Sequence, residues 1–455
     1  MTSDASAAPG AWTEFLPPGD PVTELMAGGN PDVIPSMPIC QDVPSLPFQY
    51  QRIVEHWADR IAGSGGDGVE VTWEDYLAVR VAVYEEIFAH YTPAPSWFAL
   101  PVQPTRFGIA GSRIERRGAE LVHVTRGGRE IPMGRLGGTT SESILDGTAP
   151  LERTWDSTLG FRSFKENEAW EPEPNRIERF RQGERFSFER RPDPEALGAG
   201  DCFDPEGWIP RAAFGDLGRA VPSADALLRA GCFDVTTAVL ERIGWSQPPV
   251  AGCTSPFQNA CYELGFEGLM VAMLTEPELV HQATAIYLPK PSPRHEAMKR
   301  SGIGIVYMYK MLGGGDLFGP RQFERFVMPV VQQALDFWHA RGFWVVYYPM
   351  GNATPHLEPM RDLDWDALSL EESRKGYTID IGEVRRTMGP DRLLFGNVAT
   401  ILIEQGGRDA LIAEARRQIA AVAGNGRFIL SCGTPIIPGT PADRVKLFCE
   451  LPELI

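Results

Sequence analysis

Short apolar segments alternate with longer amphipathic segments over the second half of the chain. The apolar segments have the length of buried strands, which are predicted at residues 249–253, 304–309, 343–348, 366–370, 392–395 and 427–431. The segments between them have helical spacing, which predicts helices at residues 257–273, 276–285, 321–340, 371–388, 408–423 and 441–450. Strands separated by single helices form parallel βαβ units, so this half predicts a parallel sheet.

Such a sheet either closes into a barrel or is covered on both faces by helices. No GxGxxG motif follows a predicted strand, so the dinucleotide-binding version has no support. We therefore predict an α/β fold, a (β/α)8 (TIM) barrel with an N-terminal extension. Residues 241–455 would hold its main βα repeats, and one or two further strands would come from the region before residue 245.

The first half of the chain has a different pattern. Residues 1–45 are rich in Pro, Gly, Ser and Asp, which predicts an extended N-terminal arm. Residues 119–132 alternate apolar and polar positions around Gly127-Gly128, which is typical of a β-hairpin. Residues 73–90 predict an amphipathic helix with one apolar face formed by Tyr76, Val79, Val83 and Ile87. We expect residues 46–240 to contribute to the barrel and to supply a lid or a docking face.

Composition narrows the possible functions. The 455 residues include 43 Lys and Arg against 60 Asp and Glu, a formal net charge of −17. That balance argues against a general partner of nucleic acids or anionic membranes. The seven cysteines are scattered without a CxxC pair, which indicates free thiols in a reducing compartment. The N-terminus lacks the pattern of a signal peptide, and we expect a cytoplasmic protein.

Several motifs between about residues 250 and 450 resemble, in the correct order, the uroporphyrinogen decarboxylase superfamily. They include Thr254-Ser255-Pro256-Phe257, Glu263-Leu264-Gly265-Phe266-Glu267, Thr275-Glu276-Pro277-Glu278, Gly319-Pro320, Gly351-Asn352, Leu368-Ser369-Leu370-Glu371-Glu372, Phe395-Gly396-Asn397-Val398, Phe428-Ile429-Leu430 and Thr440-Pro441. The resemblance implies a (β/α)8 barrel. It also implies one of two chemistries, either decarboxylation of uroporphyrinogen without a cofactor or transfer of a methyl group to or from a corrinoid. The Leu368–Glu372 segment and the Gly351-Asn352 turn look more like the methyltransferase branch.

Zinc-bearing methyltransferases of this superfamily carry a His-x-Cys-Gly turn and a later Gly-Cys. Here Tyr348-Pro349-Met350-Gly351 stands at the first place and Cys432-Gly433-Thr434 at the second. Zinc prefers thiolate, imidazole and carboxylate ligands, so the usual His/Cys/Cys set is not matched and we predict no metal site. The implied cofactor is a corrinoid (cobalamin). The chain lacks an Asp-x-His-x-x-Gly corrinoid signature, so the corrinoid would come free or on a carrier protein.

In a (β/α)8 barrel the chemistry lies at the carboxyl ends of the strands. That rule selects Tyr309, Lys310 and Tyr348 as catalytic candidates. The candidates for substrate binding are Tyr307, Tyr347, Asn352, Asn397, Cys432 and Thr434. Each has a structural alternative: the tyrosines as core rings, Lys310 as a solvated cation, Asn397 as a turn cap and Cys432 as a small buried apolar residue. His356 and Asp316 are interpreted as loop residues.

The predicted reaction moves a methyl group from a small O- or N-methylated compound to the corrinoid. An alkoxide or phenolate leaving group needs a proton, which a tyrosine or lysine could donate. A quaternary ammonium needs none, and tyrosine rings would then bind the cation. Two alternatives stay open: a cofactor-free decarboxylase or lyase, for which Arg113, Arg116 and Arg117 are the best basic cluster, and a non-catalytic barrel that binds a tetrapyrrole.

Overall fold

The structure is a computed structural model. It describes residues 21–29, 31, 34–36, 45–91, 106–128, 130–137, 140–145, 175–184, 223–243, 249–309, 312–374, 376–422, 427–436 and 440–455. Most of the predicted N-terminal arm lies outside these ranges, and the domain limits drawn from the sequence stay predictions. Within the described ranges, no helix combines the length and the apolar character that crossing a membrane would need.

An antiparallel sheet of four strands lies in the N-terminal region. Its strands pair in chain order and are β1 (Gly68–Val71), β2 (Ser112–Arg117), β3 (Glu120–Val124) and β4 (Glu130–Arg135). The pair β3–β4 confirms the predicted hairpin. The described helices up to residue 243 are α1 (Pro21–Met26), α2 (Ser45–Ser64), α3 (Trp73–Tyr91), α4 (Arg106–Ile109), α5 (Ser141–Leu145), α6 (Arg176–Arg181), α7 (Ala224–Arg229) and α8 (Asp234–Ile243). Helix α3 confirms the predicted amphipathic helix, and its four predicted apolar positions are buried.

A parallel sheet of six strands organises the C-terminal half. The strands pair consecutively in chain order, each parallel to the next. They are β5 (Val250–Thr254), β6 (Ile305–Tyr309), β7 (Trp344–Tyr347), β8 (Ala367–Leu368), β9 (Leu393–Phe395) and β10 (Phe428–Ile429). All six predicted strands are therefore confirmed. Consecutive parallel order puts the carboxyl ends of all six strands at one edge of the sheet.

The N-terminal segment extends this sheet beyond β10. Ser36 forms a parallel bridge with Leu430, and the Leu430 N–H donates to the Pro35 carbonyl at 2.9 Å. The Ser36 hydroxyl donates to the Cys449 carbonyl at 2.8 Å. A seventh parallel position thus lies at the edge of the sheet opposite β5.

Helices follow the strands in the expected βα alternation. They are α9 (Pro256–Leu264), α10 (Phe266–Thr275), α11 (Pro277–Ala285), α12 (Pro293–Arg300), α13 (Pro320–Gln322), α14 (Met328–His339), α15 (Leu357–Arg361), α16 (Ile381–Met388), α17 (Thr400–Gln405), α18 (Arg408–Val422) and α19 (Ala442–Leu454). A π-helical turn, Phe323–Val327, joins α13 to α14. Ser255 caps α9 by accepting the Gln258 N–H at 3.1 Å.

Two predicted helices were wrong in extent. The helix predicted at 257–273 is two helices, because Gly265 adopts a φ of +74° between α9 and α10. The helix predicted at 371–388 begins only at Ile381, where the Asp380 side chain accepts the Glu383 N–H at 2.7 Å. Residues 371–374 and 376–380 instead form an irregular loop after β8, and this loop carries part of the candidate site.

Strands β6 to β10 are largely buried on both faces, and the two faces belong to different core clusters. One cluster joins alternate strand residues such as Ile305, Tyr307, Val346, Tyr348 and Phe395 with α1, whose Val22 and Leu25 are fully buried. We call this the inner cluster. The residues between them along the strands, such as Val306, Met308 and Tyr347, pack with the surrounding helices in the larger outer cluster. Side chains that follow the inner pattern therefore point to the enclosed side of the sheet.

Candidate active site

Three tyrosines of the inner cluster pack together at the carboxyl ends of β6 and β7. The Tyr307 and Tyr348 rings stack with centroids 5.7 Å apart and planes 27° apart. The Tyr309 ring lies 6.2 Å from the Tyr307 ring at 34°. Tyr307 and Tyr348 are buried, whereas Tyr309 is half-buried. The structure thus brings together three of the predicted site residues, and we call them the tyrosine cluster.

Two of these tyrosines use their hydroxyl groups inside the protein. The Tyr348 hydroxyl donates to the Gly433 carbonyl at 2.7 Å, and the Tyr307 hydroxyl donates to Ser369 Oγ at 3.2 Å. Burial raises the pKa of both phenols, and for Tyr348 the neighbouring Tyr307 and the charge of Glu371 raise it further. Both phenols are therefore neutral at physiological pH.

Glu371 carries a charge close enough to Tyr348 to raise the pKa of its phenol. It follows Ala367 and Ser369 in the inward alternation and is 5% exposed. Its carboxylate accepts the Gly351 N–H and forms an ion pair with Arg374 at 2.6 Å. Burial raises the pKa of Glu371, and the Gly351 N–H and the Arg374 charge only partly oppose that shift. The rule that selects strand ends does reach Glu371, although the predicted site did not include it.

Gly433 connects the tyrosine cluster to the Glu371 segment. A Cβ at Gly433 would lie 2.6 Å from the Glu372 Cα and 2.7 Å from the Glu371 carbonyl carbon. Only glycine permits this approach. Since the Gly433 carbonyl also accepts the Tyr348 hydroxyl, the ends of β7, β8 and β10 meet here.

Two predicted residues take structural positions beside Glu371. Asn397 is 5% exposed, and its side-chain NH2 donates to the Glu371 and Ile379 carbonyls at 3.2 and 3.1 Å. These two bonds hold the irregular loop after β8. The Thr434 hydroxyl lies 3.2 Å from the Thr400 hydroxyl, which contacts the Glu372 carboxylate at 3.1 Å.

The loops after β6 and β7 are tied together next to the site. The Asn352 N–H donates to Asp316 Oδ1 at 2.8 Å, and the Gly315 N–H donates to the Asn352 carbonyl at 2.7 Å. His356 is fully buried, and its ring nitrogens lie 2.8 and 3.1 Å from the carbonyls of Gly313 and Phe318. Asp316 is a loop residue, as interpreted from the sequence, whereas His356 ends a 3-10 helical turn, Thr354–His356, directly before α15.

Two predicted site residues, Tyr347 and Cys432, pack on the other side of the sheet from the tyrosine cluster, and a third lies outside the described residues. Tyr347 is fully buried in the outer cluster, on the opposite face of β7 from Tyr348. Cys432 is fully buried and belongs to the same outer cluster. Lys310 lies outside the described residues. The roles assigned to these three side chains stay predictions.

The residues present do not fit a zinc ion. Tyr348 and Met350 stand where zinc-bearing relatives carry ligands, and the Tyr348 hydroxyl is engaged with the Gly433 carbonyl. Across the part of the chain that the structure describes, no three His, Cys, Asp or Glu side chains cluster closely enough to hold a metal. No step of a mechanism is therefore assigned to zinc.

These features define a class of protein: an α/β barrel with its polar site at the carboxyl ends of parallel strands. The model of the uroporphyrinogen decarboxylase (URO-D) family matches residues 221–453, so the chain belongs to this family. The family fold is a (β/α)8 barrel, which confirms the predicted fold class and the predicted superfamily.

Curated relatives match part of this chain. The uroporphyrinogen decarboxylase of Geobacter metallireducens is 22% identical over 197 residues, which cover 42% of this chain and 55% of the relative. The uroporphyrinogen decarboxylase of Dechloromonas aromatica is 23% identical over 238 residues, 48% of this chain and 62% of the relative. The chain thus spans about half the length of the curated relatives it matches.

Among solved structures, a methyltransferase from Methanosarcina mazei is 25% identical. The match covers 52% of this chain and 68% of that one, with a TM-score of 0.43. A B12-independent methionine synthase from Shewanella is 9% identical, with coverage of 49% and 65% and a TM-score of 0.33.

Proposed function

We propose that this chain is a corrinoid-dependent methyltransferase component, a demethylase that moves a methyl group from a small O- or N-methylated compound to a corrinoid. Membership of the URO-D family supports an enzyme of this fold. The observation that carries the choice of chemistry is the set of side chains at the carboxyl ends of the parallel strands. Tyrosine rings and carboxylates lie there, and the cation of Arg374 is paired with Glu371.

The decarboxylase alternative needs cations that bind substrate carboxylates. The predicted basic cluster does not provide them, because Arg113, Arg116 and Arg117 lie on β2 of the N-terminal sheet. There Arg113 pairs with Glu115, and Arg117 pairs with Glu115 and Glu130. A binding site for a polycarboxylate is therefore not favoured by the described residues. Decarboxylation stays the second candidate, because the curated relatives are named uroporphyrinogen decarboxylase.

The protein's own groups would bind and orient the methyl donor. A reduced corrinoid, supplied free or by a carrier protein, provides the nucleophile that takes the methyl group. For an ether donor, Tyr309, Lys310 and Tyr348 are the proposed proton donors to the departing oxygen. The buried, neutral phenol of Tyr348 holds its proton at neutral pH, although in this structure it directs that proton at the Gly433 carbonyl.

Two separate assays test the proposal, one for methyl transfer and one for decarboxylation. Purified protein is incubated with cob(I)alamin and a panel of aryl methyl ethers and methylated amines, and methylcobalamin formation is followed by absorbance. We expect methyl transfer that depends on both protein and donor. A parallel assay with uroporphyrinogen and no added cofactor measures CO2 release. Robust CO2 release without methyl transfer would overturn the proposal in favour of the decarboxylase.

A further inference from the structure

The hydroxyl groups of Tyr307 and Tyr348 are occupied by protein acceptors, so these residues offer their rings rather than their protons. We propose, on the basis of the proposed function, that the methyl donor is a cation, a quaternary methylammonium compound. The tyrosine cluster would contact its methyl groups, and Glu371 would supply the opposite charge.

The first support is the arrangement of aromatic rings. Electron-rich faces of tyrosine attract a cation that lies within about 6 Å of a ring centroid. The three rings lie in succession with centroid separations of 5.7 and 6.2 Å, and Tyr309, the half-buried ring, lies at the end of the succession. A quaternary ammonium group is weakly hydrated and carries its charge on methyl groups, so it suits such a surface.

The second support is the electrostatic potential of the rim. Glu371, Glu372 and Asp316 lie at this edge of the barrel, and Arg374 offsets one of their charges. Burial raises the pKa of Tyr377, on the same loop as Glu371, to about 12; the charges of Glu371, Asp316 and Glu372 act in the same direction, and the charge of Arg374 opposes them. A cation is favoured by this negative potential, and an anion is disfavoured.

The chemistry of a quaternary ammonium also matches the groups present. The C–N bond breaks, and its electron pair stays on nitrogen, which leaves as a neutral tertiary amine. The electron pair of the new bond to the methyl carbon comes from the reduced corrinoid. No proton is transferred, so the engaged Tyr348 hydroxyl needs no release. The product has lost its charge, and Glu371 therefore holds it less tightly than the substrate.

Binding of an isosteric pair tests the proposal without any corrinoid. Choline and 3,3-dimethylbutan-1-ol have the same shape and differ in charge, and isothermal titration calorimetry compares their affinities for the full chain. We expect choline to bind at least about tenfold more tightly. Equal affinity for the two, or no binding of choline, would overturn the proposal.

Two variants locate the effect. Glu371→Gln is expected to remove most of the preference for choline, whereas Glu358→Gln, an exposed glutamate on α15, leaves it unchanged. Tyr348→Phe keeps the ring and is expected to keep choline affinity within about threefold, whereas Tyr348→Leu loses it. If Tyr348→Phe is as defective as Tyr348→Leu, the ring is not the binding group. Thermal unfolding of each variant checks that it is folded.

The outcomes separate this inference from the proposed function. Selective choline binding without methyl transfer to cob(I)alamin from any donor would keep the cation site and reject the demethylase. Methyl transfer from neutral ethers alone, with no preference for choline, would keep the demethylase and reject the cation site.

Discussion

The two sheets of this protein use charged residues in opposite ways. On β2 of the antiparallel sheet, Arg113, Glu115 and Arg117 form exposed ion pairs with one another and with Glu130 on β4. On the parallel sheet, β6 to β10 are largely buried on both faces and carry apolar or aromatic side chains until their carboxyl ends. Exposed charges cost little to place, whereas a buried charge must be paired or hydrogen-bonded. Glu371 is therefore informative about function, and Glu115 is not.

The largest expected effect tests whether the buried core of the parallel sheet includes the N-terminal segment. Leu25 lies on α1 but is fully buried in the inner cluster. Leu25→Ala should lower the free energy of unfolding by about 2–5 kcal/mol, because it leaves a cavity that the surrounding strands cannot fill. Urea unfolding measures the change. Leu274→Ala, at a barrel-helix residue that is 74% exposed, should change it by no more than about 0.5 kcal/mol.

The second effect concerns turnover. A Cβ at Gly252 would lie 3.1 Å from the Tyr309 hydroxyl oxygen and closer still to its ring edge. Gly252→Ala should displace Tyr309 and lower kcat/KM for methyl transfer by about 10²-fold, because small displacements of a site group have effects of that size. Gly63→Ala on α2 meets no atom within 4 Å and should leave kcat/KM unchanged. Equal kcat/KM for the two variants would show that methyl transfer does not depend on the position of the Tyr309 ring.

A third prediction concerns acid stability of the barrel. The His295 ring lies 4.8 Å from Trp338, 5.4 Å from Phe337 and 6.4 Å from Phe343. Burial, followed by the charges of Arg294 and Arg341, lowers its pKa to about 4. The neutral ring is favoured in the folded state, so this contribution is present above about pH 6.5 and is lost as the pH falls toward 4.

Because the imidazole is only partly buried, we expect a loss of about 1 kcal/mol between pH 7.5 and pH 5. Urea unfolding at several pH values measures it, and His295→Gln, which cannot be protonated, should show a smaller loss. Identical pH profiles for wild type and variant would contradict the assignment.

The smallest effect is expected on the antiparallel sheet. Arg117→Gln removes exposed ion pairs with Glu115 and Glu130. The urea midpoint should not change measurably, because such pairs are screened by solvent and salt. A clear loss of stability that persists in high salt would contradict the view that the exposed ion pairs of the antiparallel sheet contribute little to stability.

The barrel was predictable from the sequence because strands buried on both faces leave a strong apolar signal. Five of the six predicted strands contain the observed ones, and the first ends one residue before the observed end of β5. The loop after β8 was missed because the bonds that hold it, from Asn397 to the Glu371 and Ile379 carbonyls, join positions distant in sequence.

The candidate site was only partly predictable for a related reason. Adjacent strand residues face opposite sides, so Tyr347 and Tyr348 could not both reach one site. The sequence alone did not indicate which of the two alternating sets of strand residues faced inward. Tyr307, Tyr309 and Tyr348 share the inward side, and Ser369, just after β8, bonds to the Tyr307 hydroxyl on that side. Whether a tyrosine lies in the candidate site or in the outer cluster therefore depends on its position in the strand more than on its residue type.

The bond from the Ser36 hydroxyl to the Cys449 carbonyl joins residues 413 positions apart. During synthesis, residues 34–36 leave the ribosome long before their partners around Leu430 exist, so this edge of the barrel is completed only when the final helices have emerged. Contacts of such high sequence separation slow folding and prolong the exposure of unpaired strand edges. Fusion tags or truncations near either end of this chain should therefore be judged first by the yield of correctly folded protein.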